Sequence, residues 1–139
     1  MTYSRRSLAM LLPAMAAAQQ APRQDKPVPS GAYPFDKITG RQSGPIQLYQ
    51  ILAGPTHSGF KLDLHETELP AGGAPHAPHR HVHEEFIFVW QGEVEVTING
   101  AATKLGPGGC AYMASNDLHG YHNTGAVPAK YFVLALGED

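Results

Sequence analysis

The chain has 139 residues, enough for one domain with an appended segment. Apolar residues make up 42% and charged residues 16%, which supports a packed core and excludes disorder throughout. A net charge of −2 leaves no basic stripe for nucleic acid, and a single cysteine, Cys110, excludes an intrachain disulfide and a multi-thiolate metal site.

The first eighteen residues read as an export signal. Arg5-Arg6 precedes a short apolar run, Leu8–Met15, and then the small residues Ala16-Ala17-Ala18. Ser4-Arg5-Arg6-Ser7-Leu8 is similar to a twin-arginine signal, so residues 1–18 are expected to be cleaved and the product to be periplasmic or secreted. The run falls well below the ~20 residues that span a bilayer, and Pro13 interrupts it, so no stable membrane anchor is expected. Residues 19–44 carry Pro22, Pro27, Pro29 and Pro34 with little apolar periodicity and read as a flexible leader, on which Tyr33, Phe35 and Ile38 are candidates to dock.

Residues 45–139 read as an all-β domain. Ile46–Leu52 is strand-like. In Phe60–Leu64 the apolar Phe60, Leu62 and Leu64 share one face, with Lys61 and Asp63 on the other. Pro70-Ala71-Gly72-Gly73 is a turn. Glu85–Gln91 is nearly all apolar and is expected to be buried on both faces, with Trp90 in the core. Val94, Val96 and Ile98 alternate with Glu93, Glu95 and Thr97, as in a strand with one wet face, and Asn99-Gly100 is a strong hairpin signal. After the Gly106-Pro107-Gly108-Gly109 turn come short strands at Cys110–Met113, His119–Asn123 and Lys130–Leu136. Many short strands with frequent turns specify a sandwich or barrel.

Eight histidines are the compositional outlier, and four of them lie between His76 and His83. On a strand, His79 and His81 leave the same face, and Glu85 has the same parity. Imidazoles with a carboxylate suit a first-row divalent ion: iron, manganese, copper, nickel, cobalt or zinc. His83 shares this parity but is more readily solvated or supporting than a ligand. His76 and His122 read as rim residues, Glu84 as solvated, and Cys110 as a small buried residue. Tyr112 and Tyr121 read as packed rings with satisfied hydroxyls.

The spacing Gly73-x5-His79-x-His81-x3-Glu85-x6-Gly92 resembles the first cupin motif at every specified position. Gly108, His119 and Asn123 match the second motif, in which Ala114 stands at the proline position and Asn116 at a glycine position. The resemblance covers about Ile46–Leu136, with one copy of each motif, as in a single-domain monocupin. It implies a jelly-roll barrel (double-stranded β-helix) with one divalent metal held by His79, His81, Glu85 and His119. It further implies a small organic substrate or ligand. Dioxygenase-type oxidoreductase chemistry is the leading expectation, with Glu85 also a candidate catalytic base. A metal-dependent lyase or decarboxylase is the alternative, and a non-catalytic small-ligand binding or sensing module is the rival of a different class. A homodimer is compatible with all three.

Overall fold

The computed structural model describes residues 26–138. The signal-like residues 1–18 lie outside the described residues. The described residues form a short 3-10 turn at Phe35–Lys37 and nine strands: β1 Arg41–Ser43, β2 Ile46–Pro55, β3 Lys61–Leu69, β4 Glu84–Gln91, β5 Val94–Ile98, β6 Ala101–Leu105, β7 Cys110–Met113, β8 His119–His122 and β9 Ala129–Leu136. They make two antiparallel sheets, one of order β1-β2-β3-β9-β4-β7 and one of order β6-β5-β8. This is the all-β jelly-roll architecture expected from the motifs.

Local chemistry accounts for the joints. Asn99 and Gly100 both take positive φ (48° and 88°) and close the β5–β6 hairpin with Ile98 opposite Ala101. That backbone twist matches the twist of the paired strands. Gly92 turns β4 into β5 at φ 75°. A Cβ there would lie 2.7 Å from both Ala129 Cα and Pro128 O, so the last position of the first motif admits glycine alone.

The core lies between the sheets. Leu69, Ile87, Val89, Val94, Val96, Met113, Tyr121, Tyr131 and Val133 are buried there. Ile87 has no exposed surface, and its burial contributes roughly 2–3 kcal/mol. Alternation along β4 sends Glu85, Ile87 and Val89 inward and Phe86, Phe88 and Trp90 outward. The expectation of a strand buried on both faces is therefore corrected: Phe88 is 42% and Trp90 46% exposed. The outer aromatics lean on one another instead. Phe86 packs on Tyr112 at 4.8 Å between ring centroids and Trp90 on Phe132 at 6.5 Å, with the Lys130 ammonium over the indole. Cys110, expected to be buried, is exposed at the start of β7.

Two elements precede the first expected strand. β1 pairs with β2 through Arg41 opposite Leu48, and Phe35 packs on Tyr49. Three residues between a glycine and a Ser-Gly turn carry too little pattern to be read as a strand.

Candidate metal centre

His79 lies outside a regular strand. It forms a single antiparallel bridge with His119, each donating its backbone N–H to the other's carbonyl at 3.0 Å. His81 follows in irregular backbone, and the chain bends at Val82-His83 before β4 begins at Glu84. The expectation of one strand carrying His79, His81 and Glu85 by parity is corrected. A bend, not continuous alternation, brings the carboxylate round. Two ligand candidates therefore come from the β3–β4 connection, Glu85 from the six-stranded sheet and His119 from the three-stranded one. The centre sits between the sheets.

The imidazoles of His79, His81 and His119 converge. Their ring centroids are 5.1, 4.9 and 4.6 Å apart, and one donor atom from each lies within 4.8 Å of the others. His81 Nδ1 bonds the carbonyl of His83 at 2.8 Å, and His119 Nδ1 bonds that of Asp117 at 2.9 Å. A carbonyl can only accept, so both Nδ1 atoms carry a hydrogen, and it is the Nε2 atoms that are left to ligate when the rings are neutral. Those two Nε2 atoms are buried without a hydrogen-bond partner, as is His79 Nδ1. Burial first, and then the neighbouring imidazoles of His76, His119 and His81, hold the His79 imidazole below its ordinary pKa. Orphaned, converging nitrogens in a buried site fit a divalent transition ion.

Glu85 lies to one side of this triangle. Its Oε2 is 3.3 Å from His81 Nε2 and 3.8 Å from His83 Nε2, and its Oε1 is 4.0 Å from His119 Nε2. His81, His83 and Glu85 form a second group able to hold an ion. His83 is thus placed nearer the centre than its sequence position suggested: its ring stacks on His81 at 3.6 Å and 11°. Tyr121 donates its buried hydroxyl to Glu85 Oε1. Burial and then the Glu85 charge push this phenol well above its ordinary value, so it remains a donor. The ring is packed with its hydroxyl satisfied, as expected; that its partner is the carboxylate of the first motif was not legible in the sequence.

The altered second motif keeps its shape. Asn116, at the glycine position, adopts φ 65°, and asparagine is among the few side chains that tolerate this region. Its N–H bonds His81 O at 2.8 Å and its carbonyl accepts Arg80 Nη1 at 2.5 Å, tying the turn to the histidine segment. Ala114, at the proline position, has an N–H that proline lacks, and it points to Asp117 Oδ2 at 3.3 Å. Asn123 is fully buried. Its amide donates to Leu69 O and Val127 O and accepts from Gly125 N. The expected surface residues behave accordingly. His76, His122 and Glu84 are exposed. The expectation of a core ring is corrected for Tyr112, which is half-exposed on the outer face of β7, with its hydroxyl donating to Glu84.

Beside Glu85 opens a cavity of about 420 Å³, lined by Gln50, Asp63, His65, His83, Glu85 and Ala135 among others. This volume suits one small organic molecule. Asp63 and His65 are the site residues missed in the sequence. His65 Nδ1 lies 2.7 Å from Asp63 Oδ1, and Gln50 Nε2 donates to Asp63 Oδ2 at 3.0 Å. Burial pushes the Asp63 carboxyl up, but hydrogen bonds from His65 and Gln50 and the fields of His65 and His83 bring it below its ordinary value. The available signal was Asp-x-His on a strand, which sets both side chains on one face.

A family model for the cupin domain matches residues 65–135, half of the chain and both motifs. Solved structures with the same fold include KdgF from a Halomonas species, 18% identical with a TM-score of 0.67, covering 80% of this chain and 97% of its own. Another is a predicted oxalate decarboxylase from Thermotoga maritima, 16% identical with a TM-score of 0.67, covering 78% and 100%. A third is the polyketide cyclase RemF from Streptomyces resistomycificus, 18% identical with a TM-score of 0.66, covering 78% and 80%. No curated protein matches the chain by sequence. With the jelly-roll topology, the three converging imidazoles and a family match that spans both motifs, the chain belongs to the cupin family.

Proposed function

We propose that this protein is an exported metalloenzyme acting on a small organic molecule, with one divalent ion held by His79, His81, Glu85 and His119. The observation that carries the reading is the pair of buried, unpartnered Nε2 atoms on His81 and His119, each fixed in its ligating tautomer by a backbone carbonyl. Three neutral imidazoles and one carboxylate offset all but one charge of a divalent ion. When bound, the ion supplies Lewis-acid polarisation of a substrate oxygen and, if redox-active, access to dioxygen chemistry. The chain supplies the rest. Tyr121 holds Glu85 in place, the apolar core below excludes water, and the cavity confines the substrate beside the carboxylate. Dioxygenase chemistry is the leading reaction class for this ligand set. A lyase or decarboxylase that needs no oxygen is favoured by one observation, the Asp63–His65 pair across the cavity, which is suited to moving protons. A predicted oxalate decarboxylase and a polyketide cyclase are among the proteins that share the fold.

The test is metal analysis of protein exported by its native host. The iron, copper, manganese and nickel forms are then incubated with phenols, enols and small carboxylates, with and without oxygen. Oxygen-dependent product supports the dioxygenase, and anaerobic product supports the lyase. Stoichiometric ligand capture without turnover by any form would replace the enzyme with a binding module.

A further inference from the structure

Asp63 and Glu85 sit at the same level of the six-stranded sheet, both paired with Ala135 of the intervening β9. Two strand spacings put their backbones about 10 Å apart. The small Ala135 side chain between them leaves the gap open, and that gap is the cavity. His65 lies two pairs along, opposite Val133, and so on the same face of β3 as Asp63. The carboxylate of Asp63 can only accept, so the imidazole donates Nδ1–H to it. In the neutral ring the lone pair is then on His65 Nε2, which has no protein partner among the described residues. Gln50 holds the far oxygen of Asp63. The arrangement is an oriented base, backed by a fixed carboxylate, facing the candidate metal ligand across a space the size of a small molecule. Of the cationic residues that line the cavity, Lys61 is paired with Glu138, whereas Arg41 has no ion-pair partner among the described residues. A cavity lined by one uncommitted cation suits a small carboxylate.

We infer that His65, positioned by Asp63, is the proton-transfer residue of this cavity, and that it acts on a small organic acid whose carboxylate faces Arg41. The inference rests on the metalloenzyme reading above. In the step, a C–H bond next to the substrate carbonyl breaks and an N–H bond forms at His65 Nε2. The electron pair stays on the substrate as an enolate, and the proton returns to the same or a neighbouring carbon. No oxidant or reductant is consumed.

Pyruvate in deuterated buffer, with proton NMR of its methyl group, reads this step without knowledge of the natural substrate. The metal-loaded protein is expected to exchange the methyl protons for deuterium. His65→Gln should slow exchange at least about 100-fold, the usual range for loss of a general base. Asp63→Asn should lower the saturating rate about tenfold without moving the half-saturating pyruvate concentration, a split that a merely structural role would not produce. Arg41→Gln should raise that concentration about tenfold, and malonate titrated into the metal-free protein should lose affinity in the same variant. Metal content is measured in every sample. Native content in His65→Gln with undiminished exchange overturns the proposal, as does native metal-loaded protein that exchanges no faster than buffer. A native protein that binds no metal refutes the metalloenzyme reading instead, while His65-dependent exchange or Arg41-dependent malonate binding would still stand.

Discussion

Glu66 offers a quantitative test of how this sheet handles a charge. It lies on β3 opposite Tyr49 and Phe132, has no exposed surface, and neither carboxylate oxygen has a hydrogen-bond partner. Burial first, then the like charge of Glu68, push its carboxyl up from 4.5 to about 7, against the opposing field of Lys130, the nearby Trp90 indole N–H and His65. A pKa raised on folding means that the folded state prefers the protonated form. Stability from this group is therefore fully present below pH 4.5 and is lost as pH rises through 7. Unscreened, the shift corresponds to about 3 kcal/mol; water beyond the sheet face and the nearby ammonium reduce this to about 1–2 kcal/mol. Glu66→Gln keeps the shape and removes the titration. The variant should match the native protein near pH 4.5 and exceed it by about 1–2 kcal/mol at pH 8.5, or about 4–8 °C in melting temperature. Urea unfolding of both proteins at matched metal content, at several pH values, measures the difference. A stability difference that stays flat from pH 4.5 to 8.5 would show that Glu66 ionises normally and that the buried, unpartnered description of it is wrong.

His119→Ala should abolish tight metal binding and remove the metal-induced rise in melting temperature; for an ion at ~100 times its Kd that rise corresponds to roughly 2.7 kcal/mol, and unchanged stoichiometry by elemental analysis would take His119 out of the site. Asn123→Ala should cost about 2–3 kcal/mol in chemical denaturation, because Leu69 O, Val127 O and Gly125 N each lose a partner in a buried joint; a loss below 0.5 kcal/mol would mean that water replaces the amide ~fully. Replacing Arg5 and Arg6 by lysine should block export if the twin-arginine route is used, as read by fractionation in the native host, whereas unchanged export would indicate the general secretory route and uncleaved cytoplasmic protein would end the export reading.

The sequence by itself determined the order of the barrel and the identity of its candidate ligands. Alternation in Val94–Ile98 and the Asn99-Gly100 hairpin are local properties that survive translation into structure, since each depends on backbone geometry within a few residues, whereas His79, His81, Glu85 and His119 were named by motif spacing and brought near one another only by a bend and by the packing of the two sheets. Tertiary structure decided which face of each strand is inside. Alternation tells two faces apart without naming the inner one, and the usual rule that the apolar face turns inward fails where the interior holds a ligand site. In β3 the polar Asp63 and His65 line the cavity, where Leu62 also reaches it and Leu64 does not. In β4 the aromatics Phe88 and Trp90 are turned out because the inner positions carry Glu85, Ile87 and Val89. The role of Asn116 was equally closed to sequence reading. Its positive φ became visible only once the turn was seen bound to His81 O and Arg80, contacts made across more than thirty residues of chain. Long-range register, which no local pattern encodes, is what turned a set of correctly spaced side chains into a pocket.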